Sequence, residues 1–230
     1  EYGAFAILGE MYYRNGGGRR DFNIEPPASS VHRKNYGSDD LGDMNHIAPM
    51  VKLLWQLPTT RNMVLEVKYA YEDNNYNNSY AGQTTADFNA NPHQQYVGYQ
   101  LGEYNTEHHT SYVKFRADVN SNISNQTTTY YNFFTRDWFK LDKVISNNTT
   151  CSLETVVSKA ATGNCLAALG ILKGSTAGQL RYKNNDRQYG AYGIMNETDF
   201  TFNTNFFGKN IGHKLKVGYK YHRDYHHRDQ

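Results

Sequence analysis

Met63-Val64-Leu65-Glu66-Val67-Lys68-Tyr69-Ala70-Tyr71 is the stretch from which the fold is read. Successive side chains of an extended chain point to opposite faces. Met63, Leu65, Val67, Tyr69 and Tyr71 therefore share one face, and Glu66 and Lys68 the other. Six further stretches repeat this pattern. Phe5 to Arg14 sets Phe5, Ile7, Met11 and Tyr13 against Glu10 and Arg14. Met50 to Leu57 sets Val51, Leu53, Trp55 and Leu57 against Lys52 and Gln56. Tyr112 to Val119 sets Val113, Phe115, Ala117 and Val119 against Lys114, Arg116 and Asp118. Thr127 to Arg136 sets Thr129, Tyr131 and Phe133 against Asn132 and Arg136. Thr198 to Phe206 sets Phe200, Phe202 and Phe206 against Asp199, Asn203 and Asn205. His213 to His222 sets Leu215, Val217, Tyr219 and Tyr221 against Lys214, Lys216 and Lys220. The expectation is an all-β antiparallel meander of about seven strands with one apolar face. A soluble sandwich shows the same alternation.

The connections say more. Leu57 and Met63 are joined by Pro58-Thr59-Thr60-Arg61-Asn62, Val119 and Thr127 by Asn120 to Gln126, and Phe206 and His213 by Phe207 to Gly212. The other links run Asn15 to Pro49, Glu72 to Ser111 and Asp137 to about Glu197, each of more than 30 residues. Short and long links alternate strictly. Structureless loops of that length are uncommon in globular domains. Outer-membrane barrels pair short periplasmic turns with long extracellular loops. Aromatic residues follow the same plan: Tyr12-Tyr13, Tyr69 and Tyr71, Phe134, Trp138 and Phe139, and Tyr219 and Tyr221 near the long loops, with Trp55 and Phe206-Phe207 near the short turns. Two belts flanking an apolar band mark a barrel in lipid, although aromatics are also good strand residues.

Composition narrows the class. The 230 residues include 20 Tyr, 11 Phe and 25 Asn, too aromatic for a disordered chain and too rich in turn and strand formers for a helical one. A net charge of +2 leaves no overall basic footprint for nucleic acid. No run of 18 apolar residues offers a transmembrane helix. The first residues do not read as a secretory leader, and Tyr221 to Gln230 ends in a charged run. The expectation is an internal piece of a longer protein, a single partial domain over 1–230.

The stretch from Tyr71 to Leu141 resembles TonB-dependent outer-membrane receptors, and within them the ferric citrate (FecA-like) group. Tyr80-Ala81-Gly82, Ala86-Asp87-Phe88-Asn89-Ala90-Asn91-Pro92 and Asn105-Thr106-Glu107-His108 carry the resemblance, with Gln83 where that group has Leu. Arg136, Trp138 and Leu141 continue it; Asn15 to Arg19 and Asn35 to Asp40 fit more loosely. The resemblance implies part of a transmembrane outer-membrane barrel with long extracellular loops. A plug domain, its TonB complex partner and further strands are expected outside this stretch. The implied function is import of ferric citrate or a related iron chelate, with outer-membrane lipid around the wall. A passive porin-type barrel and a secreted β-sandwich binding module are the alternatives.

A polyanionic chelate calls for arginine forks. The candidates are Arg136, at the top of a strand on its polar face, and Arg19, Arg20 and Arg33 in the first long loop. The resemblance puts an arginine near Arg136 and near Arg33 in the ligand cup. The structural alternative pairs such arginines with Glu66 or Asp118. Cys151 and Cys165 enclose 13 residues in the third long loop, and two cysteines in an exported chain are expected to form a disulfide. A metal site there would need two more ligands, and no His lies in that loop. Short helix is expected within Ser152 to Leu172. His108-His109 and the set His222, His226 and His227 are expected to be surface or interface residues. No G-x-S-x-G, H-E-x-x-H or phosphate-loop pattern occurs, so neither enzyme activity nor a cofactor is expected.

Overall fold

The computed structural model describes residues 3–17, 21–22, 44–78, 81–158 and 162–229. Arg19, Arg20, Arg33 and Tyr80 lie outside them. In chain order the strands are β1 (Phe5–Gly16), β2 (Asp21–Phe22), β3 (Met44–Gln56), β4 (Met63–Asn77), β5 (Gln94–Gln95), β6 (Glu103–Asn120), β7 (Ile123–Ser146), β8 (Thr149–Ser152), β9 (Gln179–Lys183), β10 (Asp186–Phe206) and β11 (Lys209–Asp229). Three short helices, α1 (Thr85–Ala90), α2 (Leu153–Val157) and α3 (Ala168–Leu172), lie in the long connections.

The seven long strands form one antiparallel meander in the order β1-β3-β4-β6-β7-β10-β11. β8 and β9 pair with the end of β7, and β2 pairs in parallel with β5. Each predicted stretch lies within a strand except for Leu57, one residue past the end of β3, and most strands run well past the periodic segments. The long connections therefore shrink to 17–43, 78–102 and 147–185. Two short links also contract, to Ser121-Asn122 and Phe207-Gly208. The alternation fades near the strand ends because Asn, Asp, Thr and Gly occupy both faces there. Backbone pairing continues regardless of side chain.

Register gives each face its rows. Ile7, Leu53, Val67, Val113, Thr129, Ile194 and Tyr221 stand side by side across all seven strands. The row on their turn side is Phe5, Trp55, Leu65, Phe115, Thr127, Asn196 and Tyr219. Among the described residues nothing covers this face: Ile7 is 73% exposed and Met11 63%. An apolar sheet face of this size is not sustained in water. It fits hydrocarbon, where a closed sheet satisfies its own backbone. The first hairpin turns just past Gln56, the second past Asn120 and the third past Phe206, so each reaches further below a given row. That stagger is what tilted barrel strands require.

One aromatic expectation is corrected. Phe134 and Trp138 stand on the polar face, in register with His108 and Tyr104, and are not part of a lipid belt. Tyr12, opposite Ala48, also turns to the polar face, while Tyr13 points outward. Two adjacent aromatics on a strand cannot both face lipid.

Gly193 makes room for the Tyr130 ring and the Tyr221 carbonyl oxygen, and any Cβ there would collide with both. A Cβ at Gly212 would meet only Asn203 Oδ1 at 3.3 Å. Gly193→Val is therefore expected to destabilise the sheet by about 1–3 kcal/mol, the usual cost of overpacking. Gly212→Val should cost less. The midpoint of heat-modifiable gel mobility measures both.

Candidate functional site: a basic row beneath a loop cap

The only substantial core among the described residues lies beyond the membrane band. Tyr96, Tyr99, Leu141, Val144, Cys151, Leu153, Val156, Ala168, Ile171 and Leu172 are buried together. They come from the connections 78–102 and 147–185 and from the extension of β7. Helices this short are not stable alone and form by packing. Cys151 and Cys165 are joined by a disulfide, with Cα atoms 5.9 Å apart. Helix occurs inside Ser152 to Leu172 as α2 and α3.

Asp87, from the stretch that carries the family resemblance, holds this cap together. Thr84 Oγ1 accepts from the Asp87 amide at 3.2 Å and caps α1. The Asp87 carboxylate accepts from Tyr96 Oη at 2.6 Å and pairs with Lys173 Nζ at 2.7 Å. Lys173 directly follows α3, so the clasp ties two connections distant in sequence. Tyr182 Oη of β9 adds a second tie, donating to the Gly98 carbonyl at 2.7 Å. Burial pushes the Asp87 carboxyl up, but the hydrogen bonds from Lys173, Tyr96 and Thr84, with the Lys173 charge, outweigh it. Its pKa lies below the ordinary value of 3.8. Burial, foremost, and the Asp87 carboxylate push the Tyr96 phenol up.

Below the cap, one row on the polar face reads Arg14, His46, Asn74, Thr106, Arg136, Arg187 and Arg228. Three arginines thus stand side by side on β7, β10 and β11. Like charges directly opposite are unfavourable. Arg136 Nε and Nη2 and Arg187 Nε are buried without a hydrogen-bond partner among the described residues. Arg187 Nη1 donates to Tyr189 Oη at 3.3 Å. The row nearer the cap carries Tyr76, Tyr104 and Trp138, with the two tyrosine rings stacked at 5.4 Å. The row below carries His108, Phe134, Tyr189 and His226. Lys140 Nζ sits 3.7 Å over the Trp138 ring. Burial, then the charges of Lys183, Arg136 and Arg187, push its ammonium below the ordinary lysine range. Asp142 pairs with Lys183 at 2.9 Å and Arg181 at 3.3 Å. The Lys183 hydrogen bond, foremost, holds that carboxyl low against burial. The result is a cationic strip between two aromatic rows, suited to a planar or multiply charged anion.

Of the four arginines singled out from sequence, Arg136 lies in this strip. Its alternative partners are engaged elsewhere: Glu66 with Tyr112, Lys114 and Lys52, and Asp118 with Asn62 and Arg116. Arg187 and Lys140 were missed. They lie in what reads as a long loop, where Gly190 and Gly193 break the alternation. His108 and His109 point to opposite faces, as do His226 and His227. No group of three or more metal-ligating side chains occurs among the described residues.

Two solved structures share this architecture. The ferric-catecholate import receptor Fiu from E. coli K12, in its closed form, aligns over 97% of this chain and 28% of its own. The TM-score is 0.58 at 12% identity. The siderophore receptor PiuA from Acinetobacter baumannii aligns over 99% of this chain and 27% of its own, with TM-score 0.55 and 12% identity. No family model and no curated protein matches the sequence. At this identity the likeness is one of fold: the chain has the architecture of part of an outer-membrane receptor barrel, and spans little more than a quarter of those receptors.

Breaking the clasp has a defined consequence. Asp87→Asn and Lys173→Met should each loosen the cap by about 1.5–3 kcal/mol, the range for hydrogen bonds to charged groups. The double variant should cost no more than either alone. Hydrogen exchange of residues 84–99 and 163–176 reads this, with β4 and β6 unchanged. A carboxyl with a depressed folded pKa stabilises above its unfolded pKa and loses that contribution as pH falls through the folded value. The clasp is therefore intact at neutral pH and weakens only below about pH 3.8. Thiol titration of the denatured, unreduced chain should find neither Cys151 nor Cys165 free.

Proposed function

We propose that this chain is part of the barrel wall of a TonB-dependent receptor in the outer membrane, and that the receptor imports an iron chelate of the ferric citrate type. The observation that carries the reading is the Arg136–Arg187–Arg228 row, on the face away from lipid and beneath the loop cap. Guanidinium forks match the carboxylates of a citrate-like chelate. The fold of two siderophore receptors supports the general class, and the Asp87 stretch supports the ferric citrate group. A plug domain outside this chain would take the chelate onward under TonB control. Arg19, Arg20 and Arg33 are proposed as further contacts from the first long connection.

The test is chelate affinity and heat-modifiable mobility measured on the same variants of the intact receptor. Arg136→Ala and Arg187→Ala should each weaken ferric citrate binding by about ten- to a hundredfold, as loss of a charge-assisted fork implies, with barrel assembly intact. Unchanged affinity with lowered heat stability would make the row structural. Binding of a catecholate chelate in place of ferric citrate would keep the receptor class and overturn the citrate assignment.

A further inference from the structure

One cation stands on the lipid side. Tyr69, Ser111, Tyr131, Tyr192 and Arg223 lie side by side on β4, β6, β7, β10 and β11, one row nearer the cap than Val67 and Tyr221 on the same face. In the rows that cross all seven strands, Arg223 is the only lysine or arginine on this face among the described residues; Lys52, Lys68, Arg136, Arg187 and Lys220 all turn to the polar side. Its depth is read along β11 itself. Leu215, Val217, Tyr219 and Tyr221 precede it on the same face, each at least 51% exposed. Arg223 lies fourteen positions past Lys209, where the strand leaves its turn. At a rise of about 3.3 Å per residue and a tilt of about 45°, that is roughly 33 Å above the turn, against an apolar band about 25 Å tall. The side chain therefore stands where the apolar run ends on the long-connection side, at the depth of lipid headgroups.

The protein does not neutralise this charge. Arg223 is exposed, and no carboxylate pairs with it among the described residues. The adjacent Asp224 turns to the polar side, where it pairs with His222 Nε2 at 2.7 Å. The acids Asp73 and Glu107 share the lipid side but belong to β4 and β6, three or more strands away. Aromatic rings surround the guanidinium instead: Tyr192 is directly opposite, and Tyr221 and Tyr225 lie two residues to either side. The Tyr225 ring is laid across Gly190, where any Cβ would collide with it, and its hydroxyl meets Tyr131 Oη at 3.0 Å. A charge facing the membrane is costly without a partner. The anion present at that depth is the headgroup phosphate, which a guanidinium fork matches. Tyrosines at the interface offer hydroxyls toward the headgroup and ring faces toward the chains. We propose that Arg223, with the tyrosines around it, binds the phosphate of an outer-leaflet lipid. The inference rests on the outer-membrane reading above and is independent of the chelate.

The intact receptor, purified in an uncharged detergent, is titrated with phosphatidic acid and read by native mass spectrometry. Diacylglycerol of the same acyl chains and inorganic phosphate are run in parallel. Arg223→Gln should weaken the first phosphatidic acid bound by roughly tenfold, as loss of a charge-assisted fork implies. Lys220→Gln removes a cation from the polar side of the same strand and should leave that binding unchanged. Heat-modifiable mobility should be the same for both variants. Unchanged binding in Arg223→Gln overturns the proposal, as does an equal loss in Lys220→Gln. Diacylglycerol bound as tightly as phosphatidic acid overturns the role of the phosphate. Inorganic phosphate bound as tightly as phosphatidic acid makes this a free-anion site and overturns the lipid assignment. Release of the receptor from membranes by alkaline carbonate without detergent overturns the membrane reading, and this inference with it.

Discussion

Hydrocarbon provides no hydrogen bonds, and most of this structure follows from that. Each backbone amide and carbonyl in the band must find its partner on a neighbouring strand. This holds the seven long strands in register over most of their length, with an irregularity between Asp118 and Asn120 of β6. Their side chains then have only two directions, lipid or the polar side. The polar side carries ion pairs such as Glu66 with Lys114, the arginine row, and His46, His108 and His226; the lipid side carries Leu53, Leu65, Val67, Val113, Phe115 and Tyr221. Ordinary core packing is absent from the band because lipid does its work. It reappears where lipid ends, in the cap.

The cap is assembled differently from the wall. Its helices are of five or six residues and its sequence has no sustained periodicity. It holds through a few specific joints: the Asp87–Lys173 pair, the Tyr182–Gly98 bond, the disulfide and a small cluster led by Tyr96 and Leu172. The Asp87–Lys173 pair and the Tyr182–Gly98 bond join the connections 78–102 and 147–185, and the disulfide closes the second of them, so the cap packs together on the extension of β7. It lies beyond the basic row along β7, on residues 140–146.

Asp87 illustrates how a recognisable motif and its physical role can diverge. The residue belongs to the stretch that suggested an iron-chelate receptor, yet its carboxylate is used within the protein, on Tyr96 and Lys173. The groups left available to an anion are on the wall, Arg136 and Arg187, one from a clear periodic segment and one from a stretch that reads as loop. Their adjacency is a matter of register between β7 and β10.

The sequence by itself determined the strands, their two faces and the alternation of short and long connections. These depend on local spacing, since period two and turn chemistry act over a few residues. It also pointed to Arg136 and to the Cys151–Cys165 pair. Tertiary structure decided how far each strand runs, because backbone pairing continues past the last alternating side chain. It decided that Phe134 and Trp138 face the polar side, and that Arg136, Arg187 and Arg228 align into one row. Those facts depend on the register between strands far apart in sequence, which a spacing rule confined to one segment does not contain.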